Sequence, residues 1–215
     1  TNRHARVLRY DTIASFTAAG SWSAYDAGNS GGLTNTKGFE GGVFDGRYVY
    51  FAPYHDGSAY HGKVLRYDTT ATFNASGSWS AYDASSTSGL ATKGYIGGVF
   101  DGRYIYFAPF YDGSAYHGKA LRYDTTASFT DSNSWSAYDA GNSGGLTNTK
   151  GYASAVFDGR YIYFSPEYDS TARHGKILRY DTGSPLPQQG ILQVARSKEL
   201  YIDSSGNVGM GTTTP

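Results

Sequence analysis

The sequence predicts an all-β fold in which a four-stranded antiparallel unit is repeated along the chain. The stretch Gly41–Asp68, GGVFDGRYVYFAPYHDGSAYHGKVLRYD, returns almost unaltered at 97–124 and with more drift at 154–181. A histidine recurs at intervals of 57, 56 and 57 residues, at His4, His61, His117 and His174. The 21 Tyr and 29 Gly, with one Met, suit short aromatic strands joined by tight turns. A supersecondary unit copied in this way must stack on its copies, which predicts a repeat array.

Each repeat is predicted to contain four strands, which alternation and turn residues delimit. The first strand, Gly41–Phe44, leads into an Asp-Gly pair that favours a two-residue hairpin. The second, Arg47–Ala52, alternates Tyr with Val and Phe and ends before a proline. The third and fourth strands are Lys63–Tyr67 and Ser78–Asp83. Four short strands in a meander, at a period above 50 residues, are typical of a β-propeller blade.

The repeat domain is predicted at 1–182, as a half unit and three longer units at 4–26, 39–83, 95–139 and 152–181. The half unit holds a third and a fourth strand, and the last unit lacks its fourth. Because a propeller normally needs at least four blades to close, three alternatives remain open. Several chains complete one ring, the chain is part of a longer array, or three sheets pack around an axis in a β-prism-like fold.

A short C-terminal β segment is predicted after the repeats. Residues 183–190 contain two prolines and indicate a linker. Short strands are predicted at 191–194 and 199–202, with a turn at 204–207. An isolated hairpin of this size is not stable in water, so 191–215 is predicted to be an oligomerisation segment.

Composition argues against several classes of function. The 18 Lys and Arg balance 18 Asp and Glu without a basic block, which argues against a nucleic-acid partner. No run reaches the roughly 18 apolar residues of a membrane helix, so membrane insertion is not expected. The absence of Cys excludes disulfides and thiolate sites. We expect no cofactor.

A ligand site is predicted where the second-to-third and fourth-to-first loops meet at one end of the sheets. These loops combine aromatic rings with Asp, Asn and His, and sugars are bound by ring stacking together with planar polar groups. The predicted ligand-binding residues are Tyr54, His55, Asp56, Tyr60, His61, Tyr111, Asp112, Tyr116, His117, Tyr168, Asp169, Asn29 and Asn142. The alternative is that the Tyr and Asp residues cap strands and pack between repeats.

Several residues recur in every repeat, and their recurrence favours structural roles. Some of them belong to the predicted ligand-binding residues and others do not. A residue present in every repeat cannot mark a single active site, so the periodic histidines are expected to hydrogen-bond neighbouring strands. One His and one carboxylate per repeat are too few for a closed zinc site, and no metal is expected, with calcium held by Asp and carbonyl groups as an open alternative. The Leu-Arg-Tyr-Asp quartets predict ion pairs between repeats, and Trp22, Trp79 and Trp135 predict packing in the core or between repeats.

The repeats also argue against catalysis. Hydrolysis by two carboxylates needs a pair in unequal environments, whereas near-identical repeats provide equal ones. We therefore expect a protein that is not an enzyme. Glu40 and Glu167 break the symmetry and are the candidates if the chain is a glycosidase.

The C-terminal segment carries a resemblance to a known family. Leu200–Pro215, LYIDSSGNVGMGTTTP, is similar to the DSSGNVGIGTTxP segment of phage tail-fibre and related bacterial surface proteins, with Met210 where that pattern has Ile. In those proteins the segment precedes an intramolecular chaperone of the endosialidase type. The resemblance implies a homotrimer in an extracellular or virion-surface setting. The repeats also resemble β-propeller-type repeats of uncharacterised bacterial proteins.

Together these patterns predict a non-enzymatic binding module of a fibre or surface adhesin. It is expected to recognise a cell-surface glycan or receptor multivalently, because linked copies of a weak site raise avidity. Two alternatives remain: a purely structural fibre repeat without a ligand, and a phage-tail-type glycosidase.

Overall fold

The computed structural model describes residues 3–183 and the backbone of 200–202 and 208–210. It divides the chain into two compact units, Thr1–Ser184 and Pro185–Pro215. The described residues form antiparallel β-sheets with three short 3-10 turns, at Ala19–Ser21, Ser76–Ser78 and Ser132–Ser134. The predicted all-β class is therefore confirmed.

Four sheets follow one another along the first unit, each with its strands in sequence order. Sheet I contains β1 (Arg6–Tyr10) and β2 (Trp22–Asp26). Sheet II contains β3 (Phe39–Phe44), β4 (Tyr48–Pro53), β5 (Lys63–Asp68) and β6 (Trp79–Asp83). A small hairpin, β7 (Ser86–Thr87) with β8 (Leu90–Ala91), precedes sheet III, which contains β9 (Tyr95–Phe100), β10 (Tyr104–Pro109), β11 (Lys119–Asp124) and β12 (Trp135–Asp139). Sheet IV contains β13 (Tyr152–Phe157), β14 (Tyr161–Pro166) and β15 (Leu178–Asp181).

Sheets II and III each contain four antiparallel strands, and in the described residues sheets I and IV contain two and three. Sheet I is a third and a fourth strand, and within the described range sheet IV stops after its third. In the second unit β16 (Leu200–Ile202) pairs with β17 (Val208–Met210), so the strand predicted at 199–202 is present. The strand predicted at 191–194 and the turn predicted at 204–207 lie outside the described residues.

The Phe-Asp-Gly-Arg-Tyr motif forms the tight turn between the first two strands of each unit. Oδ1 of Asp45 accepts the N–H groups of Arg47 and Tyr48 at 2.8 and 2.6 Å, and its Oδ2 accepts the Tyr50 hydroxyl at 2.8 Å. Gly46 has φ 104, a left-handed conformation in which a side chain is strained. The turn therefore requires both residues of the Asp-Gly pair.

The first strands of successive sheets pack side by side, β3 against β9 and β9 against β13. They come close together at two glycines, where a Cβ built on Gly41 would lie 2.9 Å from Cα of Gly97. A side chain at Gly41 would force these strands apart, so the glycine sets their spacing.

The outer halves of the sheets are joined by aromatic side chains. In sheet III the rings of Tyr123, Phe129 and Trp135 form a triad with centroids 4.7 to 5.6 Å apart. Tyr82 of sheet II stacks on Trp135 at 5.0 Å and 14°. Sheets I and II repeat the contact, because Tyr25 stacks on Trp79 at 5.4 Å. Trp79 and Trp135 are buried, which confirms that they pack between repeats.

The Leu-Arg-Tyr-Asp quartets do not form the ion pairs between sheets that the sequence predicts. The Arg66 guanidinium lies 4.2 Å from the Tyr48 ring of its own sheet and 4.2 Å from the Phe129 ring of the next. Asp68 pairs instead with Arg47 of its own sheet at 2.7 Å. The prediction is wrong because the neighbouring sheet presents an aromatic face to the arginine.

The loop that precedes a sheet also contacts the outer edge of that sheet's fourth strand. Gly31 forms a parallel bridge with Ser80 of β6. In the next repeat Oγ of Ser88 accepts the N–H of Ala137 in β12 at 3.1 Å. The fourth strand of each complete sheet therefore has a contact on its free side.

Candidate functional site: an aromatic rim

Glycines tie the two families of loops together at one end of the sheets. The Gly38 carbonyl accepts the N–H groups of Tyr54 and His55 at 3.2 and 3.1 Å. Gly38 has φ 77, and a Cβ there would collide with the His55 carbonyl. Gly94 and Gly151 make the same contacts in sheets III and IV. The fourth-to-first and second-to-third loops therefore share one rim.

The periodic histidines lie behind this rim and hold it in place. Nε2 of His61 donates to the Lys37 carbonyl at 2.9 Å, while Nδ1 accepts the N–H of Lys63 at 3.2 Å. His117 bonds in the same way at 2.8 and 3.2 Å, and so does His174. Burial lowers the pKa of His61 and brings the pKa of His117 to about 4. His61 and His117 are neutral near pH 7, and all three rings use both nitrogens in internal hydrogen bonds, which is the structural role that their recurrence predicts.

The aspartates of the rim organise the turns between the second and third strands. Oδ1 of Asp112 accepts the N–H groups of Ser114 and Ala115, each at 2.9 Å, and Oδ2 pairs with Lys119 at 2.8 Å. Burial opposes ionisation of Asp112, but Lys119 and these donors outweigh it and lower its pKa. Asp169 makes the same kind of turn and pairs with Lys176 at 2.7 Å, which lowers its pKa.

Asp56 differs from these two aspartates. Its Oδ1 accepts the N–H groups of Ser58 and Ala59 at 2.8 Å, but the equivalent lysine, Lys63, donates to the Thr34 carbonyl at 2.9 Å instead. Burial opposes ionisation, yet the two N–H donors lower the pKa of Asp56. Asp56 is therefore an ionised carboxylate of the rim whose Oδ2 is not paired with the lysine of its own repeat.

Five partly exposed rings form a continuous line across the three loops, which we call the aromatic row: His55, Tyr60, Tyr111, Tyr116 and Tyr168. The centroids of successive rings are 4.7, 5.0, 5.0 and 4.9 Å apart. Most of these contacts are edge-to-face, a favoured aromatic geometry. The structure therefore brings residues from three repeats into one surface.

Tyr54 and Phe110 pack against the rings of the aromatic row. The Tyr54 ring lies 5.1 Å from Tyr60 and 6.2 Å from Phe110. Burial raises the pKa of Tyr54 and also that of Tyr116, so both phenols remain protonated at neutral pH. Phe110 was not among the predicted site residues; its place beside Tyr111 in the repeated loop was the available signal.

The two predicted asparagines shape the fourth-to-first loops. Oδ1 of Asn29 accepts the N–H of Asn35 at 3.3 Å, and Asn142 accepts that of Asn148 at 3.1 Å. Asn29 also lines an open cavity of about 450 Å³. The basic residues of that cavity, which sequence reasoning missed, are Arg3, His4, Arg6 and Lys37.

The two candidate catalytic carboxylates are both ion-paired and belong to different sheets. Glu40, in β3, meets Arg3 at 3.0 Å, and Glu167, which follows β14, meets Arg173 at 3.4 Å. Among the described residues no cluster of three or more His, Cys, Asp or Glu side chains is arranged to hold a metal. The same part of the chain has no helix long and apolar enough to cross a membrane.

No protein-family model matches this chain, and no curated protein matches it.

Proposed function

We propose that this chain is a non-enzymatic binding module that recognises glycans multivalently along the aromatic row. The observation that carries the proposal is the row itself, in which rings from three equivalent loops form one partly exposed surface on a rigid sheet scaffold. Exposed loops on rigid scaffolds are where binding residues concentrate. The apolar face of a sugar stacks on an aromatic ring, and three repeats offer several such rings in one line.

Polar groups beside the row would bind the sugar hydroxyls. The tyrosine hydroxyls donate and accept hydrogen bonds, and the ionised Asp56 carboxylate accepts them. Asp112 and Asp169 are already paired with lysines, so they stabilise the loops. His61 and His117 stabilise the loops as well. Multivalency raises avidity without requiring a strong individual site.

The proposed setting is an extracellular or virion-surface fibre or adhesin with three chains. The sheets would be arranged as propeller-like blades, or as a β-prism-like assembly. This part rests on the likeness of Leu200–Pro215 to the tail-fibre segment and on the hairpin of β16 with β17 inside it. Deleting 191–215 is expected to convert a trimer into a monomer by light scattering; an unchanged mass would refute the trimer.

A glycan array of the purified chain tests the binding function. Tyr60→Ala and Tyr116→Ala each remove a central ring of the row, and each is expected to weaken binding about tenfold, the equivalent of about 1.4 kcal/mol. Phe44→Ala is the matched control, because Phe44 is exposed at the opposite end of its strand, beside the Asp45-Gly46 turn. Absence of binding to every glycan, or equal losses in the control, would sink the proposal.

A structural repeat without a ligand is the second candidate. It is favoured by one observation: the recurring His and most of the loop Asp side chains are used internally. It predicts that the array shows no binding while the two tyrosine variants assemble like the wild type. Polysaccharide turnover that disappears in Glu40→Gln or Glu167→Gln would instead establish a glycosidase.

A further inference from the structure

The loop of sheet IV ends the aromatic row with an arginine in place of a ring. Tyr60 and Tyr116 occupy the same position in the loops of sheets II and III, and Arg173 occupies it in sheet IV. The backbone confirms this equivalence, because Arg173 forms an antiparallel bridge with Tyr168 as Tyr116 does with Tyr111. The row therefore ends in a guanidinium group where its repeat would place a phenol.

Two further positions of the same loop change together with Arg173. Glu167 occupies the position at which Tyr54 and Phe110 pack against the row in the other two loops. Ser170 occupies a position where both other loops have glycine, and it keeps the left-handed conformation with φ 87. Non-glycine residues rarely adopt this conformation, and such strain is concentrated at functional sites. These changes give the third loop charged and polar groups where its copies have rings or glycine.

The Arg173 guanidinium has donors available for a ligand. Its side chain is 80% exposed, and Nη1 lies 3.4 Å from Oε1 of Glu167. In the described part of the chain this contact is the only ion pair or hydrogen bond of the guanidinium. Charge-assisted bonds of this type are normally about 2.7–2.9 Å long. The pair with Glu167 is therefore loose and leaves Nε and Nη2 to solvent.

The arginines of the tight turns show how a fully engaged guanidinium differs. Arg103 donates from Nε and Nη2 to Asp124 at 3.2 and 2.7 Å. Arg160 of sheet IV donates from the same two nitrogens to Asp181 at 3.3 and 2.9 Å. The planar fork of an arginine matches a carboxylate or a tetrahedral oxyanion in this bidentate way. Arg173 presents the same fork beside the aromatic row without such a partner.

We infer that Arg173 makes the aromatic row selective for glycans that carry an anionic group, a carboxylate, sulfate or phosphate. This inference rests on the proposed glycan-binding function and names its class of ligand. A sugar ring packed against Tyr168 would bring its anionic group to the fork of Arg173, where Glu167 competes for the same guanidinium. Asp169 and Lys176 of this loop pair with each other at 2.7 Å, so neither neutralises Arg173.

A glycan array that carries each backbone in neutral, carboxylated, sulfated and phosphorylated forms tests this selectivity on the full chain. The wild type is expected to bind an anionic form about tenfold more tightly than its neutral parent, and the form that binds identifies the anion. Arg173→Gln is expected to abolish the preference and to leave binding of the neutral form within about twofold. Because Arg173 is largely exposed, the variant should fold like the wild type.

The outcomes of the array separate this inference from the proposed function. A wild type that prefers neutral glycans, or an Arg173→Gln variant that loses neutral and anionic binding equally, would overturn the selectivity and leave glycan binding in place. Absence of binding to every form would overturn both.

Two further variants separate a bound anion from general charge attraction. Arg160→Gln removes the same charge from the opposite end of sheet IV and is expected to keep the anionic preference. Glu167→Gln removes the competing carboxylate and is expected to strengthen anionic binding about threefold. Weaker anionic binding in Glu167→Gln would contradict the inference, and so would a loss in Arg160→Gln that equals the loss in Arg173→Gln.

Discussion

Two junctions between neighbouring sheets contain equivalent residues but differ in packing. One lies between sheets II and III, and the other lies between sheets III and IV. Tyr82 is stacked against Trp135 in the first, whereas Tyr138 in the second is largely exposed. Arg66 lies between two rings, but Arg122 has only the Tyr104 ring of its own sheet among the cation–π contacts of the described residues. The comparison shows that, among the described residues, the fourth-strand tyrosine is covered where the tryptophan of the next sheet's fourth strand packs against it.

Replacing equivalent tryptophans should give the largest difference in unfolding free energy between the packed junction of sheets II and III and the open surface of sheet I. Trp135→Ala removes a buried ring that contacts two sheets and is expected to cost about 3–5 kcal/mol of unfolding free energy. Trp22→Ala removes a half-buried ring at an open surface and is expected to cost about 1 kcal/mol or less. Urea unfolding of both variants at low protein concentration measures the difference. Equal losses would mean that the two ends are energetically alike.

Acid should weaken sheet III through His117. A folded-state pKa of about 4 against about 6.5 for a free imidazole means that the unfolded chain binds the proton more readily. The corresponding stability is fully present above about pH 6.5, is lost as the pH falls towards about 4, and amounts to about 3 kcal/mol. His117→Gln should flatten this part of the urea-unfolding profile, with His4→Gln as the control. A steep fall that persists in His117→Gln would assign it to other groups.

The two arginines should give the smallest difference. Both donate to a serine on the fourth strand, Arg66 to Ser80 and Arg122 to Ser136 at 3.1 Å, so the second ring is what distinguishes them. Arg66→Ala is expected to cost about 1 kcal/mol more than Arg122→Ala, because a guanidinium between two rings gains more than one above a single ring. Thermal or urea unfolding measures both, and a larger loss in Arg122→Ala would reverse the assignment.

The repeat, its four strands and its two incomplete copies could be predicted because their signals are local. Asp45-Gly46 and alternating side chains specify a hairpin within a few residues. The structural role of the periodic histidines was likewise readable from their recurrence. The contacts between sheets could not be read in this way: that Arg66 would meet Phe129 rather than a carboxylate depends on residues more than sixty positions apart. The residues of the aromatic row were predicted, but the contacts between their rings were not. Those contacts depend on the spacing of whole sheets, which the sequence of a single loop does not specify.

The loop that covers each fourth strand bears on how such an array can lengthen. An uncovered strand edge is a template for pairing with other chains, and proteins that leave one exposed risk aggregation. Here the cover, at Gly31 or Ser88, lies in the loop just ahead of the sheet whose edge it protects. A tandem duplication of one period therefore copies the edge together with its cover. A repeat added by duplication therefore brings its own contact to the edge that it would expose.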